Sequence, residues 1–392
     1  MSFFKRKHDQ TRLKKPFQIK IIPSIVFCIC VLTIGMFALF SSKQSVQVTS
    51  TAIELSLANL LNGQLSVQIE QYLQTHIPLH KPSLFLNNHL QVVLGNRQIN
   101  QVFILKDKMI ESVYPNSTAI SQQNSNQINR FISHYENQIP CYLGLIPTAA
   151  EIYKDELPTQ EDFNQQKFIL DIYSDFPISS VVDLHSSLSS SKSNKLFYNT
   201  DSHWTSSGAY AGYTAIAKSL GETPYPEETF NIEHASYDYY GNLYQKTMIK
   251  IPISDGIDIY HFSRESPIIE VEKWLQGDVE KFSSILFRNF LTTQEQQYVF
   301  LGKPYSIANI QTNLTNGKKL LLFKDSFADP LMQFIPLHYE TTTLVDLDLA
   351  NKTELQNLRL SDYSAILFLY DINTFLTDSY ISAKLEFLFP SQ

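Results

Sequence analysis

Cysteine is nearly absent from this chain. Of three cysteines in 392 residues, Cys28 and Cys30 stand inside an apolar run and Cys141 is alone in the remainder. No intramolecular disulfide can staple the main body, which must hold together through its core. The Cys28-x-Cys30 pair has no further cysteine or nearby histidine to complete a zinc tetrahedron, so both read as apolar helix residues. Basic charge is also scarce beyond the N-terminus. The chain carries 31 Lys and Arg against 38 Asp and Glu. Seven of the basic residues (Lys5, Arg6, Lys7, Arg12, Lys14, Lys15, Lys20) and one acid, Asp9, fall within the first 20 positions, which leaves 24 basic and 37 acidic residues and a net −13 for 21 to 392. A body of that sign repels a phosphate backbone, which argues against nucleic acid as a partner. Apolar residues are abundant, at 43% against 18% charged, enough for a large core. The length suits two domains or one large domain with insertions.

One stretch lacks charge altogether. Ile21 to Phe40 reads IIPSIVFCICVLTIGMFALF, twenty residues, the length of helix that crosses a hydrocarbon core of about 30 Å. The basic cluster precedes it and only Lys43 follows closely. The positive-inside rule then makes residues 1–20 a cytoplasmic tail and sends the body outside. A cleaved signal peptide has a shorter apolar run and a small-x-small exit, whereas this run leaves through Ala38, Leu39, Phe40, Ser41 and Ser42. A buried core helix needs no basic cluster in front of it. The reading is an uncleaved signal anchor over 21–40 in the plasma membrane, a linker over 41–51 and an extracytoplasmic domain over 52–392.

Within that domain no tandem repeat is visible. Residues 50 to 94 carry apolar positions spaced for a helix face, QVFILKDKMIESVY is strand-like, and Ser121 to Asn137 forms a polar helix candidate. Short apolar runs follow at 141–146, 179–184, 318–323, 341–347 and 364–370, each the length of a buried strand. Helix candidates lie at Glu161 to Tyr173, Ser206 to Leu220, Pro330 to Pro336 and Lys352 to Leu358. This alternation predicts an α/β fold with a parallel sheet and helices on both faces. Residues 222 to 310, rich in Tyr and Pro, break the rhythm and read as an insertion over the sheet's edge.

Two motifs bear chemistry. In TDSHWTSSGAYAGYTAIA, Asp201 and His203 are two apart, so in an extended segment both side chains point one way and the carboxylate can fix the imidazole tautomer. Thr205 or Ser206 can cap the helix that follows. A second Asp-x-His, Asp183 and His185, ends an apolar strand, where Asp183 suits a turn or cap. His203 could equally be a packed surface histidine. In KKLLLFKDSFADPLMQF a strand ends at Lys324, the chain turns through Asp325, Ser326 and Phe327, and Pro330 follows. Strand, tight turn, serine and helix is how α/β enzymes present a nucleophile. The plain alternative is that Asp325 and Ser326 only form a turn. As metal ligands, Asp201 and His203 lack a third partner of suitable spacing.

Taken together, TDSHWT followed by Ser-Gly-Ala and a later Lys-Asp-Ser-Phe-Ala resembles the DHHW family of membrane-anchored proteins, relatives of the AlgX/AlgJ-like alginate O-acetyltransferases with an SGNH-hydrolase-like domain. GLIPTAAEIYKDELP, YGNLY, FLGKP and LHYETTTLVDLD share the resemblance. It implies an SGNH-hydrolase-like (flavodoxin-like) three-layer sheet and a triad of Asp201, His203 and Ser326. It further implies O-acetyl transfer to or from an envelope polysaccharide, no metal or organic cofactor, and a membrane-bound O-acyltransferase as partner. A carbohydrate esterase with the same triad, or a noncatalytic glycan-binding or scaffold subunit, are the alternatives. Three positions depart from the family pattern: Ser202 replaces its first histidine and is expected to point away from its neighbours, Lys324 stands for the glycine of a Gly-Asp-Ser block, and Asp348 stands where an arginine is often found. Tyr237, Tyr239, Tyr240 and Tyr244 could stack on sugars or simply be core and strand residues. For topology, protease added to wall-stripped cells should digest the body and spare an N-terminal tag; protection of the body would refute an outward-facing domain.

Overall fold

The computed structural model describes residues 80–115, 117–159, 161–192, 195–275 and 277–389. The chain divides into two units, Met1–Asn87 and Asn88–Gln392, and the second contains the sheets and the site described below. The predicted span at 21–40, the linker and most of the helical stretch expected over 50–94 lie outside the described residues; the end of that stretch is a helix over His80–Val93. Among the described residues no helix is long and apolar enough to cross a membrane.

QVFILKDKMIESVY supplies a small antiparallel sheet of β1 (Gln98–Ile99), β2 (Val102–Ile104) and β3 (Met109–Glu111). Eight further strands among the described residues make the main sheet. Its order is β5 (Val181–Val182), β4 (Cys141–Ile146), β13 (Ala365–Asp371), β11 (Lys319–Lys324), β12 (Thr341–Val345), β10 (Ile307–Thr312), β8 (Ile268–Leu275) and β9 (Asp278–Phe282). The first five pair in parallel, and β10, β8 and β9 continue the sheet antiparallel. The result is a mixed α/β fold with a large, parallel-rich sheet.

Side-chain alternation along the central strands explains their unbroken apolar runs. Leu320 and Leu322 of β11 join Leu367 and Leu369 of β13 in one core, while Leu321 and Phe323 join Ile366 and Phe368 in another. All eight are fully buried, as expected of strands covered on both faces. Leu184, Leu188, Ala209 and Tyr213, from the helices Leu184–Ser190 and Ser206–Ser219, complete the first core. Ile128, Phe131 and Ile381, from Ala119–Tyr135 and Tyr380–Leu385, complete the second.

Three expectations need correction. The sheet is not wholly parallel: the stretch expected to lie over its edge as an insertion extends it through β8, β9 and the start of β10, and contributes a separate hairpin of β6 (Phe230–Tyr239) and β7 (Asp255–Phe262). EVEKWLQGDVEKF turns at Gly277, whose φ of 93° favours glycine. The helix expected over Pro330 to Pro336 is instead two 3-10 segments, Ser326–Gln333 and Ile335–His338, because each proline removes a backbone donor that an α-helix needs. The strand expected over 179–184 shrinks to Val181–Val182, since Asp183 already caps the next helix.

Helix Ser206–Ser219 begins as the sequence suggests, with the Thr205 side chain accepting from Gly208 N. Two of its glycines share a face on which the Trp204 indole lies. A Cβ at Gly208 would stand 2.1 Å from the Leu196 carbonyl oxygen and 2.9 Å from Trp204 Cβ, and one at Gly212 would stand 2.8 Å from Trp204 Cζ3. Gly208→Ala should therefore cost about 1–3 kcal/mol in denaturant unfolding, because the contacted atom is backbone and cannot move aside; an unchanged midpoint would contradict this packing.

Candidate active site

The serine sits where the parallel strands end. Asp325, directly after β11, caps the 3-10 turn that begins at Ser326: its Oδ1 accepts from Phe327 N at 2.9 Å and its Oδ2 from Asp371 N, at the end of β13, at 2.6 Å. One buried carboxylate thus fixes the tips of two neighbouring strands. Ser326 is exposed at the carboxyl edge, with β12 on one flank of β11 and β13 on the other. In open α/β sheets the crevice outside such strand ends is where ligands bind.

The histidine arrives on a loop clamped from below. Asp255, fully buried at the start of β7, accepts from Asn199 N at 2.8 Å, Thr200 N at 2.8 Å, Thr200 Oγ1 at 2.7 Å and Lys195 Nζ at 2.7 Å. Asp201 follows. Its Oδ1 accepts from His203 N at 2.9 Å and His203 Nδ1 at 2.6 Å, so the pair is built as an Asx-type turn rather than on an extended segment. Its Oδ2 accepts from Tyr239 OH at 2.6 Å and Asn242 N at 2.8 Å. Gly241 is required beside it, since a Cβ there would stand 2.1 Å from Asp201 Oδ2. With Nδ1 donating to a carboxylate, Nε2 is left as acceptor and lies 2.7 Å from Ser326 Oγ. Trp204 Nε1 donates to the Phe327 carbonyl at 2.8 Å, and the His203 and Phe327 rings lie 4.6 Å apart.

Electrostatics follow from these contacts. Burial alone would raise the Asp201 carboxyl, but the His203 charge and the hydrogen bonds from His203 and Tyr239 outweigh it and hold the group down at about 2. Burial alone would lower His203, yet Asp201, through charge and hydrogen bond, followed by Asp325 and Asp371, raises it above its ordinary value. Burial and the neighbouring Asp371 push Asp325 well above the carboxylate range. Burial and Asp201 push the Tyr239 phenol up, so it remains a donor.

The structure thus brings Asp201, His203 and Ser326 into one hydrogen-bonded line. Asp183 and His185 do not join it: Asp183 accepts from Ser186 N at 2.9 Å as a cap, and His185 Nε2 lies 3.3 Å from Glu151 Oε1. The Ser202 side chain is taken up by Asn242: Ser202 N donates to Asn242 Oδ1 at 2.9 Å and Ser202 Oγ accepts from Asn242 Nδ2 at 2.8 Å. Lys324 is buried, its Nζ 3.1 Å from Asp329 Oδ1 and 4.3 Å from the centre of the Tyr305 ring. The backbone carbonyl of Asp348 accepts from Lys384 Nζ at 2.7 Å. Of the four clustered tyrosines, Tyr239 is a buried partner of Asp201, Tyr240 and Tyr244 pack ring to ring at 5.2 Å, and Tyr237 is exposed. Sequence reasoning missed Tyr239, Asn242 and Asp371 as site residues, though YGNLY contains Asn242 and Tyr239 directly precedes it.

Two cavities open onto the serine. One of about 230 Å³ is lined by Ser326, His203 and Ser202 together with Thr148, Asp371 and Asn373. The other, of about 420 Å³, is lined by Ser326, His203 and Trp204 together with Tyr298, Lys324 and Asp346. Among the described residues no group of three or more His, Cys, Asp or Glu is placed to hold a metal ion.

Residues 92–345, more than half of the chain, match the family model of the DHHW proteins. The chain belongs to the DHHW family. A DHHW family protein from Eubacterium siraeum superposes with a TM-score of 0.62 at 17% identity, covering 75% of this chain and 98% of that one. Bacillus cereus PatB1, in a structure with a sulfonyl adduct, superposes with a TM-score of 0.60 at 18% identity, covering 72% of this chain and 99% of that one. At these identities the likeness is one of fold. None of the curated proteins matches this DHHW chain.

Because the folded state holds His203 above its ordinary value, His203 stabilises the protein fully below its unfolded pKa, and that contribution is lost as pH rises through the folded value. NMR titration of the imidazole should give a pKa above about 6.5, and Asp201→Asn should lower it by removing the first and second raising influences. A pKa unmoved by Asp201→Asn would refute the assigned pairing.

Proposed function

We propose that this protein is a cell-surface O-acyltransferase that carries an acetyl group to a hydroxyl of an envelope polysaccharide through Ser326, His203 and Asp201. The observation that carries the proposal is the line Ser326 Oγ, His203 Nε2, His203 Nδ1, Asp201 Oδ1, with links of 2.7 and 2.6 Å, ending at a serine exposed beside two cavities. His203 Nε2 takes the Oγ proton as Oγ attacks the acyl carbon of a donor ester. The donor's ester C–O bond breaks and its alcohol leaves with that proton. A sugar hydroxyl then attacks the acyl-serine, gives its proton to Nε2, and Ser326 Oγ departs and recovers the proton. Asp201 holds the imidazole in one tautomer and stabilises its protonated form. The Ser326 backbone N–H opens a helical turn, where it has no intrahelical acceptor and is available to a developing oxyanion; Asn373 lines the same cavity. No metal or organic cofactor enters these steps.

An SGNH-hydrolase-like (flavodoxin-like) origin is supported by topology. Counted from β11 through β12 and β13 and then β4 and β5, the parallel strands stand in the order 2-1-3-4-5, the flavodoxin-like arrangement, with the serine after the first strand. The proposed setting is outward-facing, on a cytoplasmic tail (1–20), a signal anchor (21–40) and a linker (41–51). There the domain has no access to cytoplasmic acyl-coenzyme A, which favours a membrane-bound O-acyltransferase as the partner delivering the acyl group. Esterase action differs only in that water takes the acyl group.

The protein should release 4-nitrophenol from its acetyl ester, carry an acetyl group on the Ser326 peptide, and be blocked there by a sulfonyl fluoride, a probe suggested by the adduct in PatB1. Ser326→Ala and His203→Ala should each lose more than about 10³-fold in kcat/KM, and the double variant should be scarcely worse, since the residues act as a unit. Full turnover by a folded Ser326→Ala would overturn the mechanism.

A further inference from the structure

A transferase that works through an acyl-serine must admit two ligands to one oxygen in turn, the donor and then the acceptor. The smaller cavity reaches from Ser326 over the ends of β4 and β13, where Thr148, Asp371, Asn373 and Thr374 line it. The larger reaches over the end of β12, where Asp346 lines it, and under the segment from Glu295 to Pro304. Since β13 and β12 flank β11 on opposite sides, the two ligands need not compete for the same space. The larger cavity is in the size range of ordinary ligand sites and the smaller is below it. Tyr298 and Phe300 give the larger one an aromatic wall, and Gln245 and Gln297 add amides.

The charge of that wall is one-sided. Glu295, Asp329 and Asp346 line it against Lys324, whose ammonium is already held by Asp329 and the Tyr305 ring, and His203, whose imidazole is already paired with Asp201. Burial raises the Asp346 carboxyl toward its neutral form; with Asp346 neutral, Glu295, Asp329 and Lys324 still sum to −1, and a protonated His203 is balanced by its own Asp201. No arginine lines either cavity among the described residues. A sugar carboxylate placed here would meet like charge and no free donor cation, a costly arrangement, whereas an amine would be favoured.

We propose that the larger cavity is the acceptor-sugar subsite and that its acidic wall selects a neutral or amine-bearing sugar and rejects a uronate. This rests on the acyl-transfer reading given above. The full-length protein is supplied with 4-nitrophenyl acetate and, in parallel, with tetramers of N-acetylglucosamine, glucosamine and galacturonic acid, and alkali-labile acetyl on each is counted by mass spectrometry. The first two acceptors should be O-acetylated and the uronate at least about tenfold less, a preference that shrinks as salt screens the wall. Glu295→Arg, at an exposed position, should move the ratio toward the uronate by about tenfold. Uronate acetylated as well as the neutral tetramer would overturn the inference, as would ester hydrolysis with no transfer to any acceptor; both outcomes leave acyl chemistry at Ser326 standing. Absence of both nitrophenol release and Ser326 labelling would instead remove the acyl-transfer reading, and this inference with it.

Discussion

The bond from Trp204 Nε1 to the Phe327 carbonyl joins two segments 123 residues apart. One end of it follows His203 and the other follows Ser326, so the indole sets the separation of the two groups that must meet. Its position is itself fixed, since the ring is fully buried against a helix whose Gly208 and Gly212 leave room for it. Thr205 caps that helix immediately after the tryptophan. Packing this dense transmits small errors directly to the His203–Ser326 distance.

The histidine side carries buried negative charge that is unusually well supplied with donors. Asp201 and Asp255 each accept four hydrogen bonds, largely from backbone N–H groups and hydroxyls, and no arginine takes part. Burying a carboxylate is costly unless it is so satisfied. Neutral donors also leave the Asp201 charge available to His203, where an arginine would have competed for it. The serine side uses the opposite device. Asp325 is crowded by Asp371 and pushed toward its neutral form, yet its two oxygens still anchor the tips of β11 and β13.

What the sequence made legible follows burial. β4, β11, β12 and β13 are buried on both faces and read as apolar runs. β8 alternates, with Val271 and Lys273 buried between more exposed neighbours, and its alternation was hidden by the charge of EVEKWLQGDVEKF. The Asp-x-His pair was legible because its two members are covalent near-neighbours, although an Asx-type turn rather than an extended segment brings them together. Tyr239 and Asn242 were not, because they reach Asp201 across 38 and 41 residues, and no local spacing encodes such a contact. Helix Pro330 to Pro336 failed for a local reason: the helical turns begin at Ser326 rather than at Pro330, which puts the first proline inside them where an α-helix would need its N–H, and a second follows six residues later.

The order of the reacting groups along the chain, Asp201 and His203 before Ser326, places no constraint on their geometry. Only Asp201 and His203 need sequence proximity, because one turn sets their spacing. Ser326 needs a strand end and one carbonyl within reach of the indole. The parallel strands, counted from β11, keep their 2-1-3-4-5 order whichever strand the chain enters first. A chain that enters at β4, as this one does, places the long excursion from Leu184 to Thr312 between the two halves of the sheet. That excursion brings the histidine loop, the Asp255 clamp, Tyr239 and the Glu295–Pro304 wall to the serine. Its length therefore serves two ends at once: it completes the hydrogen-bonded line at Ser326, and it raises over β12 the larger cavity, whose charge then bears on what can be bound there.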